Sequence, residues 1–429
     1  MTRRLAPPPP LTALQLALLA LAAAALLPAA RAQAWGVSTP LPFARSDHTA
    51  TALGGSIFIA GGCDGAQKCV GGSRGTCSCS SASRNLVAFT PANASYSPRA
   101  PLLQPRYRHL ACPLGDASGL VLFGGRTLTP ATPATGDAII TAIDVYTAAT
   151  NAWTQLGVAY PADLGSDNSC TTALDGRIYV MGGYTPDYAV STRLMYALTL
   201  GGANGGSFAL MAPMPLGLGD FSSALVPATG NIHVMGGYTT EEGPYWYCRP
   251  TPSHFVYSPR TNTWAAGPPL PVAMGEKDDA VLLGGRLFTM GGESKSRTSE
   301  CYDTDILVLT GVRSYDPAAN AWRNETSLPY GAMRLASAEV GGVAYLFGGQ
   351  GALIDDLDTN PLKYSVLTFT LAPVAAPDAA PVSYSAGAMG GAIAGTLLVT
   401  LALAAAAQAA AARCRGGGSG ADKNVLYAA

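Results

Sequence analysis

A glycine pair that closes a short apolar strand recurs six times in this chain, and nothing else in the sequence restricts the fold as tightly. The pairs are Gly61-Gly62, Gly124-Gly125, Gly182-Gly183, Gly236-Gly237, Gly291-Gly292 and Gly348-Gly349, with successive spacings of 63, 58, 54, 55 and 57 residues. The runs before them read SIFIA, LVLF, RIYVM, NIHVM, RLFTM and VAYLF. Short β-branched and aromatic runs bounded by Gly, Pro and Asn are the mark of antiparallel strands joined by tight turns. One such unit cannot bury both faces of its sheet, so repetition at this period implies stacked neighbours.

A second feature keeps register with the first. An aromatic residue recurs seven positions after another: Phe89 to Tyr96, Tyr146 to Trp153, Tyr257 to Trp264 and Tyr315 to Trp322. The third unit departs, with Tyr196 and Phe208 separated by a longer Gly-rich hairpin. Pro-containing connectors follow, such as Met214-Pro215, Leu270-Pro271 and Leu328-Pro329. Glycine permits the turn and close approach of neighbouring sheets, and the large aromatics supply apolar area to the seams between them.

Strand, Gly-Gly, loop, Tyr-Asp-Pro, turn, Trp: this order resembles the Kelch repeat, most closely at Tyr315-Asp316-Pro317 with Trp322. The resemblance covers residues 35–371 and implies an all-β, six-bladed Kelch-type β-propeller, seven blades being the alternative count. The last unit supplies one more strand, Tyr364 to Thr370, and no Trp strand after it. Trp35 followed by Leu41-Pro42 has the spacing of the missing piece, so the N-terminal strand is expected to close the ring.

Both ends of the chain read differently. Residues 1–34 carry Arg3 and Arg4, an apolar run from Leu11 to Leu27, and Ala-Arg-Ala-Gln-Ala, which is the layout of a secretory signal peptide. Cleavage after Ala34 or after Ala32 fits the small residues required at −3 and −1. An Ala/Pro-rich stalk is expected over 372–385 and a transmembrane helix over 386–412, the latter uncharged and followed at once by Arg413 and Arg415. Residues 413–429 would then form a short cytosolic tail. The propeller is therefore expected on the extracellular or lumenal side of the plasma membrane or an endomembrane, as a single-pass type I glycoprotein. A leader and the lack of an accompanying oligomerisation domain disfavour the intracellular adaptor role of other Kelch proteins.

The formal net charge is −1; three Arg before Trp35 and a net +2 after Ser385 leave the middle of the chain at −6. That acidic balance, without a Lys/Arg run, excludes nucleic acid as the expected partner. Eight of nine cysteines fall in the expected propeller: Cys63, Cys69, Cys77, Cys79, Cys112, Cys170, Cys248 and Cys301. In an oxidising compartment they read as disulfides, the first four within one loop and Cys248 with Cys301, while Cys112 and Cys170 in the expected innermost strands either pair or stay as buried thiols. Sequons place glycans at Asn93 and Asn324, both expected near the turn between third and fourth strands.

The loops after the glycine pairs are long, and in a four-stranded antiparallel blade they share one face. Asp64, Arg126, Tyr184, Tyr238, Glu293 and Gln350 lie within two residues of a pair, and Trp246 lies in the fourth loop. These are the candidate ligand-binding residues. The functional expectation is a membrane-anchored recognition module for a protein or glycan, with no cofactor, no metal and no catalytic residue assigned. The alternative is a carbohydrate-active Kelch enzyme, a sugar isomerase or a copper radical oxidase. Only four histidines exist, His48, His109, His233 and His254, and no clustered pair is visible along the chain.

Overall fold

The computed structural model describes residues 33–371 except 66, 70–76, 129–136, 188, 242–249, 276–279, 296–305, 352–361 and 364. Residues 1–32 of the expected leader and the expected stalk, transmembrane helix and tail, with Trp246, Cys248 and Cys301, lie outside the described residues. Among those described, no helix is long and apolar enough to cross a membrane.

The architecture is a ring of six four-stranded antiparallel sheets. The innermost strands are Thr49–Leu53, Leu110–Pro113, Ser169–Thr172, Ser222–Val226, Val281–Leu283 and Ala336–Val340. Each strand that ends in a glycine pair lies second in its blade, as in Ser56–Ala60 against Thr49–Leu53. The ring closes as expected: Gln33–Val37 pairs with Val366–Leu371, in the register Gln33 to Leu371 through Val37 to Leu367. Closure removes the sheet edges that a bare C-terminal strand would leave.

The core lies in the seams between blades. Phe58, Ala60 and Ala88 of the first blade pack with Leu120, Leu122 and Tyr146 of the second. Tyr179, Met181 and Ala197 of the third pack with Ile232, Val234 and Tyr257 of the fourth.

The repeat has a local mechanism. In three blades the tyrosine hydroxyl of the third strand donates to an asparagine five residues on, Tyr146 to Asn151, Tyr257 to Asn262 and Tyr315 to Asn320, each at 2.8 Å. Those asparagines hold the left-handed turn conformation, φ 49–54°, which Asn tolerates better than most residues. The tryptophan two positions later then donates its indole N–H to a backbone carbonyl of the preceding blade, as Trp264 does to Ala212 at 3.0 Å.

The third blade departs from the seven-residue interval as expected: its longer hairpin carries the strand to Leu200, and the register sets Leu198 opposite Phe208. One expectation needs correction. Asn324 is the last residue of its strand and pairs with Arg313 near the start of the third strand. It therefore sits toward the long-loop end, whereas Asn93 lies in the third-to-fourth turn as expected.

Candidate functional site

The glycine pairs build the mouth of the central channel. Both members have positive φ, for example 57° and 96° at Gly61 and Gly62, a region closed to most side chains. A Cβ on Gly62 would lie 2.6 Å from His48 Cβ, and one on Gly61 would lie 2.6 Å from the Arg106 carbonyl of the next blade. The second glycine donates its N–H across the seam, Gly62 to Arg106 O, Gly183 to Leu218 O and Gly349 to Arg45 O, at 2.7–2.9 Å.

The residue after each pair is then fixed by an isolated bridge to the segment leading into the innermost strand: Cys63 to Ser46, Arg126 to Tyr107, Tyr184 to Ser166, Tyr238 to Gly219, Glu293 to Gly275 and Gln350 to Met333. The fold thus gathers five of the sequence candidates into one ring of equivalent positions. Arg126, Tyr184, Tyr238, Glu293 and Gln350 are all buried there. They latch blades together. Arg126 donates to Ser166 Oγ at 3.0 Å and to the Pro186 carbonyl. Tyr238 donates to Glu293, and Gln350 donates to Ser46 Oγ at 3.0 Å, joining the last blade to the first. Asp64 stands one position further out and is exposed. In its blade the equivalent position is Cys63, disulfide-bonded to Cys79.

A second ring was not anticipated from sequence. Asp47, Arg108, Asp167, Asp220 and Arg334 occupy the same repeat position, just before the innermost strands, and all have φ between 52° and 59°. Their backbones join around the channel: Asp47 N to Arg334 O, Arg108 N to Asp47 O and Asp220 N to Asp167 O, at 2.9–3.1 Å. Arg108 sits between two carboxylates, Nε lying 3.3 Å from Asp47 and 3.6 Å from Asp167. Charged, non-glycine residues held in a left-handed conformation are a strain that clusters at binding and catalytic sites. The sequence signal was a charged residue two positions before five of the innermost strands, those that start at Thr49, Leu110, Ser169, Ser222 and Ala336.

The histidines divide in two. His48 and His109 follow the ring residues and are buried; burial, and then the charge of Arg45, hold His48 well below its ordinary pKa. His233 and His254, distant in sequence, are brought together, Nδ1 to Nε2 at 2.9 Å. Strand pairing does what sequence spacing does not show: it sets Met235 opposite His254 and brings the two rings into one seam. His254 also contacts the Pro268 carbonyl, and Tyr315 and Trp322 pack over it. Among the described residues no group of three His, Cys, Asp or Glu could hold a metal ion. The opposite face bears an open cavity of about 600 Å³ whose lining includes Asp175, Arg177, Asn231 and Arg260.

No protein-family model matches the chain. It is 24% identical over 321 residues to Kelch-like protein 36 of Bos taurus, covering 75% of this chain and 38% of that protein. Kelch-like protein 25 of Xenopus tropicalis is 22% identical over 307 residues, 68% of this chain and 42% of its own length. Human Kelch repeat and BTB domain-containing protein 12 is 25% identical over 195 residues, 43% of this chain and 29% of that protein. The chain spans about two-fifths or less of the length of these relatives. The solved structure of YjhT superposes with a TM-score of 0.59 and 14% identity, covering 77% of this chain and 97% of that one.

Proposed function

The chain is a Kelch-repeat β-propeller, and from that premise we propose a recognition module that faces the extracellular or lumenal side of a membrane and binds a protein or glycan partner at its long-loop face. Kelch propellers are typically protein-interaction modules. The observation that carries the reading is the strained charged ring of Asp47, Arg108, Asp167, Asp220 and Arg334 at the channel mouth. The residues that open the loops after the glycine pairs, Cys63, Arg126, Tyr184, Tyr238 and Gln350, bridge to the segments that carry this ring, and loops on a rigid scaffold are where binding residues concentrate. The buried latch residues Arg126, Tyr238 and Gln350 act in this reading as the frame that holds the ring.

Compartment and anchoring rest on separate support. Cys63–Cys79 and Cys112–Cys170 are disulfides, bonds that persist in oxidising compartments. The leader-like residues 1–34 and the uncharged stretch 386–412 supply delivery and a single membrane span. Asn93 and Asn324 are exposed and become glycan acceptors there.

The test is capture by surface cross-linking on cells expressing the full chain, with a glycan binding screen in parallel. Asp220→Ala and Arg334→Ala are expected to lose the captured partner or glycan, and Arg260→Ala on the opposite face to retain it. Retention by the mouth variants with loss in Arg260→Ala would move the site to the other face and overturn the proposal.

A further inference from the structure

The leader offers two equivalent processing points, after Ala32 and after Ala34, because Ala30, Ala32 and Ala34 satisfy the small-residue requirement either way. The folded ring distinguishes them. Gln33 is the first residue of the closing strand and stands opposite Leu371. Both ends of its side-chain amide are used. The oxygen accepts the Thr326 backbone N–H at 2.8 Å, and the nitrogen donates to the Glu325 carboxylate. Trp35, two residues on along the strand, donates its indole N–H to the Thr326 carbonyl at 3.1 Å. The closing strand therefore grips both backbone groups of Thr326 in the neighbouring blade, and Gln33 supplies half of that grip.

Glu325 is itself built into the fold. It accepts from Arg286 at 2.6 Å and from Ser314, and its side chain is only 8% exposed. Loss of Gln33 removes one of its donors. Cleavage after Ala34 would also delete two of the five ladder pairs, Gln33 with Leu371 and Ala34 with Thr370. A short outer strand that closes a ring has few contacts to spare.

We propose that the mature chain begins at Gln33, produced by hydrolysis of the Ala32–Gln33 peptide bond in the secretory pathway. In that step water adds hydroxyl to the Ala32 carbonyl carbon, the C–N bond breaks, and the Gln33 nitrogen leaves as the new α-amine. The inference rests on the secretory reading of residues 1–34, and the test separates the two. The full chain is expressed in a secretory eukaryotic host, purified, digested with trypsin and read by mass spectrometry. No Lys or Arg lies between Gln33 and Arg45, so one peptide reports the terminus. The expected product is Gln33–Arg45, with or without loss of ammonia from a terminal Gln. A peptide starting at Trp35 would leave the secretory reading standing and overturn this one. Ala32–Arg45, the tryptic product of an unprocessed chain, would overturn both. As a second readout, a chain processed to start at Trp35 is expected to melt several degrees below one starting at Gln33; equal melting would remove the physical basis of the choice.

Discussion

At the scale of single residues, the first two blades differ by one informative substitution. Arg106 is fully buried, donates to the Gly124 carbonyl and forms an ion pair with Asp144, itself 2% exposed. Arg45 occupies the same position one blade earlier and donates to the Gly61 carbonyl at 2.9 Å. Where the second blade carries Asp144, two residues' register from its glycine pair, the first carries Val87. Burial lowers the pKa of both guanidinium groups, Arg45 to about 9 and Arg106 to about 10, with Asp64 and Asp144 respectively opposing it. Burial likewise raises Asp144 above its ordinary value against the pull of Arg106. Removing one partner of such a pair strands the other charge in the seam. Asp144→Ala is therefore expected to cost about 3–5 kcal/mol of unfolding free energy, whereas Arg106→Met with Asp144→Leu should restore most of it. Denaturant unfolding of the single and double variants reads both, and an unaffected single variant would mean that the pair is not buried.

At the scale of elements, two ties hold the ring. The closing strand Gln33–Val37 covers the edge of Val366–Leu371, with Trp35 against Phe369 at 4.8 Å. The disulfide Cys112–Cys170 joins the innermost strands of the second and third blades. The latter encloses a sequence separation of 58 residues, and its removal is expected to lower stability by about 2–4 kcal/mol. Cys112→Ala with Cys170→Ala isolates this contribution from the loop disulfide at Cys63. Unchanged thermal unfolding of that double variant would show that adjacent blades are already held by apolar packing alone.

At the scale of the whole molecule, stability depends on the seam between the fourth and fifth blades, whose two histidines must stay neutral. Burial depresses His233 and His254 to about 4, the neighbouring His254 adding to the effect at His233. These rings lie between the fourth and fifth blades, among Tyr315, Trp322 and the Pro268 carbonyl. An unfolded chain takes up protons on histidine near pH 6.5, and the folded one near 4. The unfolded state therefore binds more protons in between, so this contribution to stability is complete above about pH 6.5. It falls as pH drops toward 4 and is then constant. The loss for one such ring is on the order of 3 kcal/mol. Thermal unfolding from pH 7.5 to 4 checks the sign, and a His254→Phe variant should flatten the slope. A melting temperature that rises on acidification would contradict a neutral buried pair.

Blade count, strand order and ring closure were legible in the sequence because they are set by short-range spacing. Gly-Gly pairs, the Tyr-to-Trp interval and Trp35 with its Leu-Pro connector all act within a few residues. The sequence could also place Arg126, Tyr184, Tyr238, Glu293 and Gln350 at the mouth, since each directly follows a glycine pair. It could not show that they are buried as latches, because their partners sit in other blades: Ser166 for Arg126, Glu293 for Tyr238, Ser46 for Gln350. The departure of the third blade is visible as a broken interval, but only its hydrogen-bonded register shows that Leu198 stands opposite Phe208. The chain by itself thus determined a repeat and its closure, which local turn and strand chemistry specify. The tertiary structure alone decided which charges and rings meet across the seams. Gln33 and Glu325, 292 residues apart, become neighbours only when the ring shuts.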